Sequence, residues 1–327
     1  MAVIDADTHV IEGPRAWEYM DPSEESLRPK LITDASGREY WVIDDYGRHR
    51  HGRFDSSLPR EVVELTDVQG RIDFMDKMGE DIQVIYPTVL SGGYSDHVET
   101  VVAMCRSYNR WMADVWSQAK GRIRWVIAPP ILDMSTALNE LEAGKRNGGC
   151  GVMLRSPEHT KTILDPYFDP LLKKAAELDL PICVHVGNGS RYMVETFRDD
   201  SLYVNRFGVL SSFANVIIAG IPQRFPNLRC GFIEAGSMWV PGMVLAAQRR
   251  ATWAGEGAGV APRDVVQRNR MWVACQTTDD LSYISQWTGR GNLITGTDFG
   301  HDDAAAELAA FQNLRNLPDV DPTLIDD

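Results

Sequence analysis

Basic charge is scarce in this chain. Its 327 residues carry 33 Lys and Arg against 46 Asp and Glu, a formal net charge of −13. A nucleic-acid or anionic-membrane surface needs the opposite sign, so neither is an expected partner. Cysteine is scarce too. Cys105, Cys150, Cys183, Cys230 and Cys275 make an odd count with no CxxC spacing. That excludes a disulfide framework and a zinc finger, and reads as buried free thiols in a reducing, cytoplasmic setting. Long apolar runs are missing. The best, residues 207–222, is broken by Ser211, Ser212 and Asn215 and is too short to span a bilayer. MAVIDADTHV offers no basic segment followed by an apolar one, so no signal peptide is expected. No repeat or low-complexity linker divides the chain, and one domain over 1–327 is the expectation.

Three short pieces carry chemistry: Asp7-Thr8-His9, His185 in PICVHVGNG, and Asp298 in LITGTDFGHDD. Each closes a short apolar run, where a parallel strand delivers its last side chain to one rim of a sheet. In a strand, residues i and i+2 share a face, so Asp5, Asp7 and His9 lie on one side and Ile4 and Ala6 on the other. Neighbouring ligands on one strand can therefore meet one ion. A lone Asp-x-His is ordinarily a solvated carboxylate beside a core histidine. Imidazole and carboxylate from several strand tips make a divalent metal site instead.

Strand-like runs alternate with helical patterns. The strands are expected at 3–9, 81–87, 123–128, 150–155, 181–186, 228–234, 271–276 and 292–298. Helices are expected at 67–78, 97–118, 135–147, 167–178 and 205–221. Eight short, β-branched, apolar strands, each followed by helix-like sequence, predict an α/β fold, the (β/α)8 TIM barrel. Its chemistry sits at the C-terminal strand ends, which here bear His9, Tyr86, Arg155, His185, Glu234, Gln276 and Asp298. Residues 28–57 interrupt the first βα step. Glu39–Ile43 is strand-like between Ser36-Gly37 and Tyr46-Gly47 turn signals, so a small β flap over the barrel mouth is expected. His49 and His51 within it read as solvated loop residues.

VIDADTHVIE, RIDFMDKMGEDIQVIYPT, DPYFDPLLKKAAELDLPICVHVGN, RFPNLRCGFIEAGSMWVP and NLITGTDFGH occur in that order. Together they resemble the amidohydrolase superfamily over nearly the whole chain. The closest likeness is to the branch of aminocarboxymuconate-semialdehyde decarboxylase and γ-resorcylate decarboxylase. The resemblance implies one divalent ion, zinc first and manganese second, on Asp7, His9, His185 and Asp298. Many members read His-x-His on strand 1; Asp7 takes the first of those places. Many also carry a histidine at the end of strand 6, where this chain has Glu234. A carboxylic acid can replace imidazole in proton transfer where burial raises its pKa toward working pH. His301 matches a frequent family histidine, although Gly300 stands where proline is common. The resemblance also implies a closing helix with an Asn-Ala/Pro-Arg-like stretch. The sequence ends at Asp327 without it, so that helix is absent or the chain is truncated. The resemblance also implies a homo-oligomer, with a dimer as the expectation.

The expected activity is metal-dependent, non-oxidative cleavage, a decarboxylation of a small carboxylated aromatic or enol/keto acid. Glu234, Asp298 and His301 are the expected catalytic groups. Arg155, then Arg191, would hold the substrate carboxylate, and Tyr86 and Trp239 would line an apolar wall. The alternative is a hydrolase of a C–C, ester or amide bond acting through a metal-bound hydroxide. A non-catalytic binding barrel ranks last.

Overall fold

The structure, a computed structural model, describes residues 2–45, 47–50, 57–197, 202–253, 261–302, 305–318 and 320–326. The chain forms two compact units. One holds Ala2–Met153 with Asp298–Ala306, the other Leu154–Thr297 with Glu307–Asp327.

In the N-terminal unit, β1 (Ile4–Val10), β5 (Ile82–Pro87), β6 (Ile123–Ile127) and β7 (Gly149–Leu154) pair in that order, all parallel. Their interiors are almost wholly buried, as parallel strands covered on both faces require. The register of β1 on β5 shifts between Asp5 and Thr8. The helix Val68–Met78 starts at Asp67, whose side chain accepts from the Gly70 N–H, and stops at Gly79 with φ +77°. The helix Val98–Gln118 buries a stripe of Val101, Met104, Cys105, Tyr108, Trp111, Met112 and Val115 at helical spacing.

The interrupting segment is a three-stranded antiparallel sheet: β2 (Lys30–Thr33), β3 (Glu39–Ile43) and β4 (Gly47–Arg50). Trp41 is buried and meets Trp17 edge to face at 6.0 Å. Beyond β3, Asp44 accepts from the Ser95 hydroxyl and Asp45 pairs with His97 at 2.7 Å. Residues 46 and 51–56 of the expected flap, His51 included, and the side chain of His49 lie outside the described residues.

In the C-terminal unit, β8 (Ile182–His185), β9 (Cys230–Ile233), β10 (Met271–Cys275) and β11 (Leu293–Thr295) pair in that order, again parallel. The helices Asp169–Glu177, Phe207–Ile218, Val240–Trp253 and Leu281–Thr288 lie between or beside them in sequence. Eight parallel strands alternating with helices along the chain make the (β/α)8 barrel. No cysteine forms a disulfide. Among the described residues, no helix is long and apolar enough to cross a membrane.

Candidate metal centre

Asp7 and His9 leave β1 one after the other on the same side, and both are buried. His9 Nε2 stands 3.7 Å from Asp7 Oδ1 and 3.6 Å from Asp298 Oδ1. Asp298 lies three residues past the last residue of β11, yet it is held like a strand residue. Its N–H donates to the Asp7 carbonyl at 2.8 Å, and the His9 N–H donates to the Phe299 carbonyl at 2.8 Å. The Asp298 backbone sits in the left-handed region at φ +52°, a costly conformation for a non-glycine residue that marks functional positions. Gly300 follows at φ +104°, and a Cβ there would stand 3.2 Å from the His9 carbonyl oxygen. Glycine at this place lets the segment come against β1 and bring His301 back. His301 Nδ1 lies 2.9 Å from Asp298 Oδ1, and its ring stacks on His9 at 4.0 Å. Ligand atoms of His9, Asp298 and His301 all fall within 4.8 Å of one another.

Two buried carboxylates facing one imidazole nitrogen concentrate negative charge where water cannot relieve it. Such a grouping is costly unless a cation joins it. Donors of imidazole nitrogen and carboxylate oxygen suit a borderline or hard divalent ion. The residues therefore fit the metal that the sequence implies.

Three residues around this cluster carry no signal that the sequence reading used. Thr88, just past β5, places its Oγ1 3.3 Å from His9 Nδ1 and 2.9 Å from His301 Nε2. Glu12 is fully buried, and its carboxylate accepts the Thr88 N–H at 3.0 Å and the Val89 N–H at 2.9 Å. Burial pushes its carboxyl up to about 7, against the pull of those N–H groups. Arg71 is also fully buried. It donates to Gln83 Oε1 at 2.6 Å and to the His9 carbonyl at 3.2 Å, and its guanidinium lies 3.5 Å over the Phe299 ring. Burial lowers its pKa to about 9, opposed by Asp5 and Glu80. A charged residue on the apolar face of the helix 68–78, and a carboxylate inside VIDADTHVIE, were the hints available.

The C-terminal unit presents a second pair. His185 is the last residue of β8. Its Nδ1 donates to the Val186 carbonyl at 2.8 Å, which leaves Nε2 as the nitrogen that can bind a cation. That Nε2 lies 3.4 Å from Glu234 Oε2. Glu234 directly follows β9 and, like Asp298, takes a left-handed backbone, φ +64°. The turn after it is fixed by Asp279, whose Oδ2 accepts from Ser237 N, Ser237 Oγ and Gln276 N. Trp239 donates its Nε1 to the Gly236 carbonyl at 2.7 Å and packs edge-on against Phe213.

The two arginines differ. Arg155, just past β7, is buried and gripped by Glu158, with Nη2–Oε2 at 2.6 Å and Nε–Oε2 at 3.1 Å. Arg191 is about half exposed, on the short helix Arg191–Thr196, and pairs with Glu195 one turn on at 2.9 Å. Tyr86, on β5, is buried with its ring 6.0 Å from that of His9.

The fold is that of a barrel enzyme, with candidate metal-ligating side chains on strand 1. The amidohydrolase family profile matches residues 4–325, and the chain belongs to that family, whose members are metal-dependent enzymes. A search of curated proteins finds no match. Solved structures share the fold. An amidohydrolase from Mycobacterium avium subsp. paratuberculosis K-10 is 19% identical, with a TM-score of 0.81 over 99% of this chain and 96% of that one. The 5-carboxyvanillate decarboxylase LigW from Sphingomonas paucimobilis is 19% identical, with a TM-score of 0.70 over 99% and 95%. A second such decarboxylase, from Novosphingobium aromaticivorans, was solved with bound manganese and 3-methoxy-4-hydroxy-5-nitrobenzoic acid. It is 14% identical, with a TM-score of 0.71 over 99% and 93%.

Proposed function

We propose that this protein is a metal-dependent decarboxylase of a small carboxylated aromatic or enol/keto acid. The observation that carries the reading is the cluster of buried Asp7, His9 and Asp298 with partly buried His301, on a barrel shared with two carboxyvanillate decarboxylases. Asp7, His9 and Asp298 would hold the ion, with His185 Nε2 as the fourth ligand. The ion would supply Lewis-acid polarisation of a substrate oxygen. Two carboxylates beside two imidazoles make a mixed nitrogen–oxygen set, which suits manganese as well as zinc.

The chain's own residues supply the rest. The substrate carboxylate needs a cation, and the two arginines rank by what each must give up. Arg155 would leave a buried Glu158 unpaired, which is expensive. Arg191 would leave only an exposed helix pair, which is worth little. Arg191 is therefore the first choice and Arg155 the second, whose main work is holding the turn at 155–158. Tyr86 and Trp239 provide apolar surface for a planar ring. As the bond from the ring or α-carbon to the carboxyl carbon breaks, CO2 leaves and the carbon takes a proton. Glu234 is the donor, next to His185, with Asp298 and His301 as a second carboxylate–imidazole pair.

The antiparallel sheet at residues 30–50 would act as the lid. Ser95 and His97, which fasten it, belong to the loop leaving the C-terminal end of β5, the end that also bears Thr88. Excluding water there protects a carbanion-like centre from premature protonation.

The second reading, hydrolysis of an ester, amide or C–C bond, is favoured by Glu234 standing where many relatives carry histidine. Metal-replete protein should release CO2 from 2,6-dihydroxybenzoate, 5-carboxyvanillate or a related carboxylated phenol or enol acid. Ester or amide cleavage across a substrate panel with no CO2 from any acid would replace the decarboxylase with the hydrolase.

A further inference from the structure

Gln276 directly follows β10, and the reaction proposed above does not use it. Its backbone is clamped twice by one residue. The Gln276 N–H donates to Asp279 Oδ2 at 3.0 Å, and its carbonyl accepts the Asp279 N–H at 3.0 Å. The same Asp279 oxygen accepts the Ser237 N–H at 2.9 Å and the Ser237 hydroxyl at 2.8 Å. The turn after β10 and the turn after Glu234 are therefore built on one carboxylate. Strand alternation gives the direction of the side chain. Cys275 packs against Leu281 and Leu314, which belong to the helices Leu281–Thr288 and Ala310–Arg315. The next side chain, Gln276, leaves on the opposite face, toward the inside of the barrel. It lies against the turn that follows Glu234: a Cβ at Gly236 would stand 3.4 Å from Gln276 Oε1.

The polar groups beside it are already committed. The Thr277 hydroxyl donates to Glu307 Oε2 at 2.5 Å, and Asp279 serves the two turns. Among the described residues, the Gln276 carboxamide has no hydrogen-bond partner, and the residue is only partly buried. A polar group on a fixed backbone, with its hydrogen bonds unspent, is suited to orienting a ligand. A carboxamide is neutral and offers two N–H donors and an accepting oxygen. It therefore matches a hydroxyl or keto oxygen, and gives a second carboxylate no charge to pair with. We propose that Gln276 is a specificity-determining residue that hydrogen-bonds a neutral oxygen substituent of the acid substrate. It selects hydroxylated or keto acids over the bare carboxylic acid. The assignment rests on the decarboxylase reading for the class of acid, but its statement about binding does not require the bond to the carboxyl carbon to break.

Binding to metal-replete protein, read by calorimetry, tests it. The probes are 2,6-dihydroxybenzoate and 5-carboxyvanillate as hydroxylated acids and benzoate as the bare carboxylate. Wild type should bind at least one hydroxylated acid more tightly than benzoate. Gln276→Met keeps the length of the side chain and removes its hydrogen bonds. It should weaken that acid about 3–10-fold, the worth of one neutral hydrogen bond, and leave benzoate within about twofold and metal content unchanged. Gln276→Glu keeps the shape and adds a negative charge, so it should weaken all three acids. Three results would overturn the assignment: a wild type with no preference over benzoate, a Gln276→Met loss as large for benzoate as for the hydroxylated acid, or a Gln276→Glu protein that binds every acid as wild type does. Release of CO2, measured in parallel, separates the two readings. Gln276-dependent preference without CO2 from any hydroxylated acid sinks the decarboxylase and leaves the assignment standing. CO2 release at the wild-type rate and affinity in Gln276→Met keeps the decarboxylase and removes Gln276.

Discussion

The two histidines proposed as ligands, one on β1 and one on β8, are held in very different ways. His9 is locked from every side. Its N–H pairs with Phe299, its carbonyl takes Arg71, its Nδ1 meets Thr88, and its ring stacks on His301. Behind these lie two fully buried ionisable residues, Glu12 and Arg71. His185 keeps its orientation with a bond to the very next carbonyl, Val186, and its neighbour Glu234 is set by a turn built on Asp279. Dense packing with a charged network makes a stiff cradle for an ion. Both carboxylates beside these histidines, Asp298 and Glu234, are presented on left-handed backbone that packing must hold.

The sharpest way to break this comparison is to delete each histidine. His9→Ala should abolish both metal uptake and turnover. His185→Ala should lower metal content and activity together. Elemental analysis of purified protein reads both, and unchanged metal in either variant removes that residue from the ligand set.

Glu234→Gln keeps shape and removes the titrating group. Turnover should fall by a factor on the order of 10²–10⁴, the range for general acid–base catalysis, with metal content unchanged. Normal turnover in this variant would make Glu234 a wall residue and leave Asp298 with the proton.

Arg71→Met and Arg155→Met each remove a buried guanidinium from acidic neighbours, Asp5 and Glu80 in one case and Glu158 in the other. Urea unfolding should show a loss of about 3–5 kcal/mol for each, because a buried charge is left without its partner. Only Arg71→Met should also weaken Mn2+ binding, since only Arg71 bonds the His9 carbonyl. Equal metal affinity in both would reduce the network behind His9 to a stabilising role.

The smallest effect is a slope. Glu12 has its carboxyl raised from 4.5 to about 7 by burial. Between these two values the folded protein holds a proton that the unfolded chain has lost, and the stabilisation is fully present below about pH 4.5. The benefit drains away as pH rises and is gone above about 7. A shift of that size corresponds to about 3 kcal/mol. In metal-free protein, Glu12→Gln should flatten the fall in stability between pH 5 and pH 8, read by denaturant midpoints at both values. An unaltered slope would place the titration elsewhere.

Much of this molecule was legible in its sequence, for identifiable reasons. DIQVIYP, IRWVIA and CGVMLR announce strands because β-branched and apolar residues on both faces suit a sheet that is covered twice. Observed strand limits differ from the expected ones by a few residues at the ends, most at the last strand, which closes at Thr295 rather than Asp298. There the backbone turns left-handed before pairing with β1 through Asp298 and Phe299, a device that apolar patterning does not encode. Residues 39–43 were readable as a strand from their flanking turn signals, and that strand is the centre of the antiparallel sheet.

Sequence alone determined the barrel, the acidic character of its composition, and the residue types at the strand ends, since each follows from residue counts, from local periodicity or from the last residue of an apolar run. Tertiary structure alone decided which polar residues hold those ends in place. Thr88 meets His301 across 213 positions of chain, and Glu12 meets Thr88 across 76. Arg71 reaches the His9 carbonyl across 62. Only Arg71 sits in a suggestive spacing, on the buried face of the helix Val68–Met78, and that spacing does not reveal its partner. Their roles exist only because buried donors and acceptors must find partners, and folding, not sequence order, sets which partners are within reach.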